Sequence, residues 1–284
     1  MAVFPRRLGA TPKQAVINGD FPVSQAIWLI TGVVMILWGL RLWGYGTLTS
    51  IVTLPSVAMV GWGLTLSLWH GRSTRSSRME SVFLAITLGM ALVSLILWSY
   101  TQVLTVPAYG TDELAFDQWA AHLWIHGINP YGRSLAEAFT RYQVSPNGYT
   151  WTLTGKPVTL LSYPALAFEI YLPFMWLGWH TQLAVGVNVL SWAVSLVLLF
   201  WALPRPLKPL AIILASLSVY VSYAVGGVTD ALFIPFLIAA ARQWDQYPTA
   251  RGWARLWPPL WFGLSMGIKT TPWIILPLLV LCLI

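Results

Sequence analysis

Three carboxylic acids, Asp112, Glu113 and Asp117, lie within six positions of one another in a chain of 284 residues that contains only nine Asp and Glu. They follow an apolar run, so they stand where a membrane helix would meet water. An unpaired carboxylate is costly in such a place, and the cluster is therefore a candidate functional site. A positioned carboxylate can take a proton from a hydroxyl group, so these residue types allow general acid–base chemistry.

The composition is typical of a membrane protein. Hydrophobic residues make up 57% of the chain and charged residues 9%, with a mean hydropathy of +0.68. Globular domains usually contain about 25% charged residues, so we predict an all-α polytopic membrane protein. The formal charge is +7, but the basic residues fall in short loops, where the positive-inside tendency explains them better than a nucleic-acid partner does. Cys282 is the single cysteine, which excludes a disulfide within the chain and a cysteine metal site.

Three apolar runs come first, at 24–45, 47–70 and 80–105. Each is close to the ~20 residues that span hydrocarbon, so we predict a cytoplasmic tail at 1–22 and three transmembrane helices within 23–105. Basic residues precede the first run and separate the second from the third, which places the N-terminus inside; they are Arg6, Arg7, Lys13, Arg72, Arg75 and Arg78. The polar segment 106–157 is then an extracytoplasmic loop, long enough to be folded or functional.

The segment 158–284 contains further apolar runs, at 158–178, 182–203, 209–226, 228–241 and 256–284. If each run crossed once, the basic residues between 242 and 255 would lie outside, against the positive-inside tendency. A re-entrant or outer-surface course for 158–178, which Pro164 and Pro173 interrupt, removes this conflict. We expect about 7–9 transmembrane or re-entrant helices, one large outer loop carrying amphipathic helices, and a cavity beside that loop.

Within the outer loop we predict a helix from Asp112 to Ile125, with Thr111 as its N-cap, and a second helix from Ser134 to Tyr142. With helical periodicity, one stripe carries four residues: Glu113, Asp117, Ala120 and Trp124. His122 and His126 point roughly the opposite way. Their spacing can hold a metal, but no carboxylate shares their face, so we predict no metal site there.

Two polar insertions interrupt the later apolar runs. One is Thr229-Asp230, and the other is Gly267–Pro272, which contains Lys269. In the topology above, Asp230 lies near the outer face, and Lys269 lies within the membrane or near its outer side. We therefore expect Asp230 and Lys269 to line the same outward cavity as the acidic cluster.

At these residues the chain resembles the GT-C superfamily of membrane glycosyltransferases, which use polyprenyl-phosphate sugars, and among them the bacterial mannosyltransferase-type enzymes. The resemblance rests on short motifs that occur in the family's order over 80–284: Asp112-Glu113, Ala120-Ala121, Gly127-Ile128-Asn129-Pro130-Tyr131, Tyr163-Pro164-Ala165-Leu166, Leu172-Pro173, Gly227-Val228-Thr229-Asp230 and Gly267-Ile268-Lys269-Thr270-Thr271-Pro272. The chain departs from the family in placing two helices before the expected first one and in ending at Ile284, where relatives continue. We therefore expect an N-terminal portion or a shortened relative.

The resemblance implies transfer of a hexosyl or pentosyl group from a polyprenyl-phosphate sugar to an acceptor hydroxyl, on the outer side of the bacterial plasma membrane, in cell-envelope synthesis. Asp112 or Glu113 would be the catalytic general base, and Lys269 would hold the donor phosphate. The residues implied in substrate binding are Asp117, Asn129, Tyr131, Tyr163, Asp230 and Lys269. The family uses a divalent cation or none, and the residues leave both open. The implied partners are the lipid donor and the bilayer.

Other interpretations of the same residues stay open. Asp112 and Glu113 can simply favour the start of a helix, whose dipole attracts acids in its first turn, and Asp230 can do the same. Lys269 can extend to the membrane interface without binding phosphate. The alternative function is a non-catalytic accessory subunit that associates with partner subunits in a larger membrane complex. A transporter fits less well, because no inverted repeat is visible.

Overall fold

The computed structural model of the chain describes residues 23–44, 50–69, 77–105, 109–216, 228–244, 247 and 249–281. Several sequence predictions fall outside these residues. They are the cytoplasmic tail at 1–22, the loop arginines Arg72 and Arg75, the Gly227 of the Thr229-Asp230 motif, and Cys282.

The described residues form twelve α-helices. Their bounds are α1 Val23–Gly44, α2 Ser50–Trp69, α3 Ser77–Thr105, α4 Asp112–Ile125, α5 Glu137–Arg141, α6 Leu166–Glu169, α7 Leu172–Trp176, α8 Leu183–Ala202, α9 Lys208–Ala215, α10 Asp230–Trp244, α11 Trp257–Ile268 and α12 Leu276–Leu281. Short 3₁₀ turns occupy Pro146–Gly148, Arg205–Leu207, Gly252–Leu256 and Thr271–Ile275. In the part of the chain that the structure describes, extended pairing is limited to two isolated bridges, Ser134 with Leu160 and Trp151 with Pro157.

Four of these helices are long and apolar enough to cross a membrane: α1, α2, α3 and α8. The first three match the helices predicted before the outer loop, and the fourth matches the run at 182–203. The all-helical class is therefore confirmed, while the larger number of crossings stays a prediction. Their apolar residues divide between an exposed surface and a buried one, as expected of helices that face lipid on one side and protein on the other.

Small residues bring α1 and α2 into close contact. A Cβ added at Gly63 would lie 2.5 Å from the carbonyl oxygen of Gly32, and one added at Gly32 would lie 2.7 Å from that of Gly63. Gly39 approaches the Ser56 carbonyl of α2 in the same way. Backbones can approach this closely only where side chains are absent, so the two helices form a tightly packed pair.

Two clusters of buried apolar side chains connect most of the helices. One surrounds α4 and includes Phe168, Tyr171 and Leu183, and the other joins α1, α2 and α3 to the second half of α8 and to α9. Helix α8 contributes to both, with Val185 in the first cluster and Leu196 in the second. It therefore connects the body of long helices to the part of the chain that carries the acidic residues.

Two apolar runs that contain prolines are broken into short pieces, whereas α2 and α10 hold Pro55 and Pro235 in their interiors. The run at 158–178 has a non-helical stretch up to Pro164, followed by the short helices α6 and α7; Pro173 lies in the first turn of α7, where proline is tolerated. The last run is likewise broken after Ile268 and resumes as a 3₁₀ turn that contains Pro272. The second loop helix is shorter than predicted, since Ser134 pairs with Leu160 in a bridge instead.

The contact between α1 and α2 predicts the effect of adding a single methyl group. We expect Gly63→Ala to destabilise the protein by about 1–3 kcal/mol, because the new Cβ would meet backbone atoms that cannot rotate away. Gly61→Ala is the matched control, since nothing lies within 4 Å of a Cβ there. Thermal unfolding in detergent measures both, and equal midpoints for the two variants would contradict the close packing of the two helices.

Candidate functional site

Three helix ends meet at the acidic residues. Asp112 and Glu113 form the first turn of α4, Asp230 begins α10, and Lys269 directly follows the last residue of α11. A helix N-terminus carries partial positive charge and a C-terminus partial negative charge. The acids therefore stand at the two N-termini and the cation at the C-terminus, so each charge has the sign that its helix end favours.

The Glu113 carboxylate is held mainly through one oxygen. Its Oε1 accepts hydrogen bonds from the backbone N–H of Thr229 at 2.9 Å, from the Thr229 hydroxyl, and from the Lys269 ammonium at 2.9 Å. Its Oε2 takes no part in these three contacts. The arrangement fixes the carboxylate through residues that are distant in sequence, which joins α4 to the start of α10 and to the end of α11.

Lys269 pairs with two carboxylates at once. Its Nζ lies 2.9 Å from Glu113 Oε1 and 2.8 Å from Asp230 Oδ1. The side chains of Lys269 and Glu113 are 15% and 9% exposed, whereas that of Asp230 is 38% exposed. The ion pair is therefore shielded on the Glu113 side and open to the surroundings on the Asp230 side.

Asp112 fastens the segment around Thr150 to the start of α4. Its Oδ2 accepts a hydrogen bond from the Thr150 backbone N–H at 2.5 Å, and its Oδ1 accepts one from the Thr150 hydroxyl at 3.2 Å. Gly148 lies beside this contact, and a Cβ there would collide with the Gly110 carbonyl oxygen. The loop therefore returns to the helix start at very close range.

Asp117, one turn further along α4, is fully buried. Neither of its carboxylate oxygens has a hydrogen-bond partner among the described residues. Burial raises the pKa of this carboxyl well above its usual range, and the neighbouring Glu113 carboxylate raises it further, while Lys269 acts in the opposite direction. Asp117 therefore holds its proton over a wider pH range than an ordinary aspartate and lies behind the ion pair rather than on an accessible wall.

Tyr163 stands beside the ion pair, and Tyr131 contacts Tyr163. Lys269 Nζ lies 6.0 Å from the centre of the Tyr163 ring, and the Tyr131 hydroxyl donates to the Tyr163 carbonyl oxygen at 2.8 Å. Burial raises the pKa of the Tyr163 phenol, and the Glu113 carboxylate raises it further, so it stays a proton donor. Asn129 is exposed, and its side chain accepts from the Tyr131 N–H at 3.0 Å, which shapes the turn without reaching the ion pair.

The structure thus brings together most of the predicted site residues. Those at or directly beside the ion pair are Glu113, Asp117, Tyr163, Asp230 and Lys269, with Asp112 adjacent to Glu113. Sequence reasoning did not identify Thr150, whose position 38 residues after Asp112 follows no local pattern. It also did not identify Thr229 as the hydrogen-bond donor to Glu113, although Thr229 stands in a polar insertion that marked this region.

The histidines lie on another side of α4, as predicted. His122 and His126 line a separate cavity together with Gln118 and His180. Among the described residues, no group of three or more His, Cys, Asp or Glu is arranged so that it could hold a metal ion. The acids and the histidines therefore form two distinct sites on one helix.

Because Lys269 contacts two carboxylates, removing the Lys269 charge and removing the Glu113 charge should lower the stability of the fold by different amounts. Lys269→Met should destabilise the protein by about 3 kcal/mol, because it leaves the Glu113 and Asp230 carboxylates without their shared cation. Glu113→Gln should cost only about 1 kcal/mol, since Lys269 keeps Asp230. Lys156→Met, at an exposed lysine, is the matched control. Thermal unfolding of the three variants checks this order, and an equal loss for Lys269→Met and Lys156→Met would contradict it.

The buried carboxyl of Asp117 predicts a pH-dependent stability. In the unfolded chain it ionises above about pH 4, whereas the folded protein keeps it protonated to higher pH, so this residue destabilises the fold progressively as pH rises. The stability of Asp117→Asn minus that of the parent protein should therefore grow between pH 5 and pH 8, by at most about 1.4 kcal/mol per pH unit. Glu137→Gln, at an exposed acid, is the control, and a difference for Asp117→Asn that does not grow with pH relative to this control would refute the assignment.

Comparisons with known proteins do not assign the chain to a family. No family model matches the chain, and no curated protein or solved structure was found to be significantly similar to it.

Proposed function

We propose that this protein is a membrane glycosyltransferase that moves a sugar from a polyprenyl-phosphate donor to an acceptor hydroxyl on the outer side of the bacterial plasma membrane. The observation that carries the proposal is the Lys269 ammonium held between Glu113 and Asp230 where three helix ends meet. A cation beside fixed carboxylates supplies the two groups that this reaction needs, one for the phosphate and one for the proton.

The acceptor hydroxyl would lose its proton to a carboxylate of the α4 start. Its oxygen forms a bond to the anomeric carbon of the donor sugar, the bond from that carbon to the phosphate oxygen breaks, and polyprenyl phosphate leaves with the bonding electrons. Glu113 is fixed through Oε1, and Asp112 through the Thr150 contacts, so each is held in one orientation. A carboxylate oxygen has lone pairs beyond those used in one hydrogen bond, which lets either residue accept the proton.

The donor phosphate would approach Lys269 from the Asp230 side. The Asp230 side chain is 38% exposed, whereas Glu113 shields the opposite side of the ammonium. A phosphate that displaces Asp230 from Lys269 exchanges one charge-assisted contact for another and keeps Glu113 in place. The Tyr163 ring beside the ammonium provides a surface on which a sugar can pack.

An apolar cavity of about 430 Å³ supports a lipid donor. It lies between α7, α8, α10 and α11 and is lined by side chains such as Phe174, Leu190, Phe236 and Trp261. An isoprenoid chain is apolar and branched, so it can bury its surface in such a space. No step of the proposed reaction is assigned to a divalent cation, which stays an open part of the proposal.

The proposed topology places the N-terminus in the cytoplasm and the segment after α3 outside, with about 7–9 transmembrane or re-entrant segments. The short helices α6 and α7 support an outer-surface or re-entrant course for 158–178. Trp176 and Leu177, at the end of α7, are 70% and 84% exposed. Exposed aromatic and aliphatic side chains on a short helix are typical of the membrane interface.

One observation favours the accessory-subunit alternative. Each charge at the centre of the site already has a partner, because Lys269 neutralises Glu113 and Asp230 and Thr229 donates to Glu113. A network of this kind can hold three helices together without any reaction. In that case the protein would be a structural component that binds partner subunits.

Conservative amide variants test the proposed chemistry. Glu113→Gln and Asp112→Asn keep the shape of the side chains but remove the proton acceptor, so we expect at least one of them to lower sugar transfer by about 10²-fold or more. The assay is transfer from a radiolabelled polyprenyl-phosphate sugar in membranes of cells that express each variant. Glu137→Gln, at an exposed acid of the same loop, is the control and should transfer at the parent rate.

Two outcomes separate the candidate functions. Full transfer by both single variants and by the double variant would overturn the enzyme assignment. The accessory alternative instead requires stable association with partner chains that is insensitive to these amide substitutions. Purification of the protein without partners, together with loss of transfer in the variants, would reject that alternative.

A further inference from the structure

Helix α4 has a second polar side, which the proposed reaction does not use. Gln118, His122 and His126 follow one another on this side and line a cavity of about 470 Å³. Arg141 and Tyr142 at the end of α5 and His180 before α8 complete its polar wall. Cavities of about 300–1,000 Å³ are the usual size of small-molecule sites, so this space is large enough for a ligand.

The charge of this cavity has one sign. Its lining, all of it within the described residues, contains one arginine and three histidines and no Asp or Glu. The acid that acts on His122 is Glu137, one turn before Arg141 on α5, and its influence is smaller than that of the cationic neighbours. The cavity therefore attracts anions and repels cations, unlike the acidic site on the other side of α4.

Gln118 stabilises the histidine wall, which is the side of the cavity lined by His122, His126 and His180. Its buried side chain donates to the His180 carbonyl oxygen at 2.7 Å and accepts from the Ala184 N–H at 2.9 Å and from the Tyr109 hydroxyl. The side chain thereby links α4 to the loop that carries His180 and to the start of α8. The wall is held by hydrogen bonds between elements and does not depend on one flexible loop.

Stacking on Trp119 holds Arg141 and His122 in position. The Arg141 guanidinium lies 4.8 Å from the centre of the Trp119 ring, and the His122 ring stacks on the same indole at 4.7 Å. His126 donates from Nδ1 to the His122 carbonyl oxygen at 2.7 Å, so its Nε2 faces no partner in this contact and can donate to an anion when the ring is protonated at both nitrogens. Side chains that are already ordered lose less conformational entropy on binding.

We propose that the cavity between α4, α5 and the α7–α8 loop is a binding site for a phosphate group, with Arg141, His122, His126 and His180 as its ligands. A guanidinium and imidazoles that converge on one space match the several oxygens of a phosphate. The phosphate belongs either to a soluble phosphate ester or to a lipid headgroup, which share this chemistry. This site is independent of the phosphate position proposed at Lys269.

Binding of an anion changes the protonation of the histidine wall in a defined direction. Burial lowers the pKa of His122, and His126, Arg141 and His180 lower it further, while Glu137 opposes them. A bound phosphate would offset the repulsion from these cationic groups and raise the pKa of His122. Phosphate and protons should therefore bind cooperatively, as linkage requires.

Nuclear magnetic resonance of the histidine rings tests this site directly, because the chain has only four histidines and three of them line the cavity. Protein labelled with ¹⁵N-histidine, in phosphatidylcholine nanodiscs, is titrated with methyl phosphate, and a parallel sample contains phosphatidic acid in the nanodiscs. We expect the three cavity signals to shift along one saturable curve and the His122 titration midpoint to rise by about one pH unit.

Two arginine variants provide the matched comparison. Arg141→Gln should weaken phosphate binding by about tenfold, whereas Arg133→Gln, at an exposed arginine outside the cavity, should change it less than about twofold. Arg141→Lys keeps the charge and should restore part of the affinity. Saturation by methyl phosphate identifies a soluble ester as the source, and saturation by phosphatidic acid alone identifies a headgroup.

Three results would overturn the proposal. The first is the absence of a saturable shift in both samples. The second is an equal loss for Arg141→Gln and Arg133→Gln, which would indicate diffuse attraction by the loop. The third is loss of the shifts in Lys269→Met protein that circular dichroism shows to be folded, which would place the bound phosphate at the acidic site.

Discussion

The Lys269 ammonium is the group on which the arrangement of the site depends. It lies between Glu113 and Asp230, two residues that are far apart in sequence and belong to different helix starts. Because two carboxylates repel each other, the ammonium between them stabilises the close approach of the starts of α4 and α10. The interruption of the last apolar run at Lys269 therefore has a structural role, since it ends α11 where the cation stabilises both acids.

Helix α4 has two surfaces with opposite electrostatic character. Its first turn carries acids, where the helix dipole favours them, and its later turns carry the histidine wall. Between these surfaces its small residues Ala120 and Ala121 are fully buried, and the Asp117 carboxyl is enclosed without a hydrogen-bond partner among the described residues. A helix with this many polar side chains would be a poor membrane span, but it suits a position in which protein encloses it and it bears two polar sites.

Local patterns in the sequence were sufficient to predict the helices and the positions of the main charges. They were insufficient to predict the contacts that join the helices. The bounds of α4, the three helices before it and the interruption at Lys269 all follow from hydrophobic runs, turn residues and proline. From the sequence, Lys269 and Glu113 were expected only to line the same cavity. Their direct pairing could not be predicted, because its geometry depends on how α10 and α11 pack. Thr150 and Gln118 could not be found from sequence, since their partners lie 38 and 62 residues away and no periodicity links them.

The contact between Asp112 and Thr150 closes the intervening chain into a loop whose two ends are fastened at one point. The entropic cost of closing a loop rises only slowly with its length. Insertions or deletions near the exposed turn at Gly127 or before Pro146 would therefore leave the carboxylates where they are. Such a loop can diversify in evolution, and the molecules that contact it can change, while the charged centre beneath it stays the same.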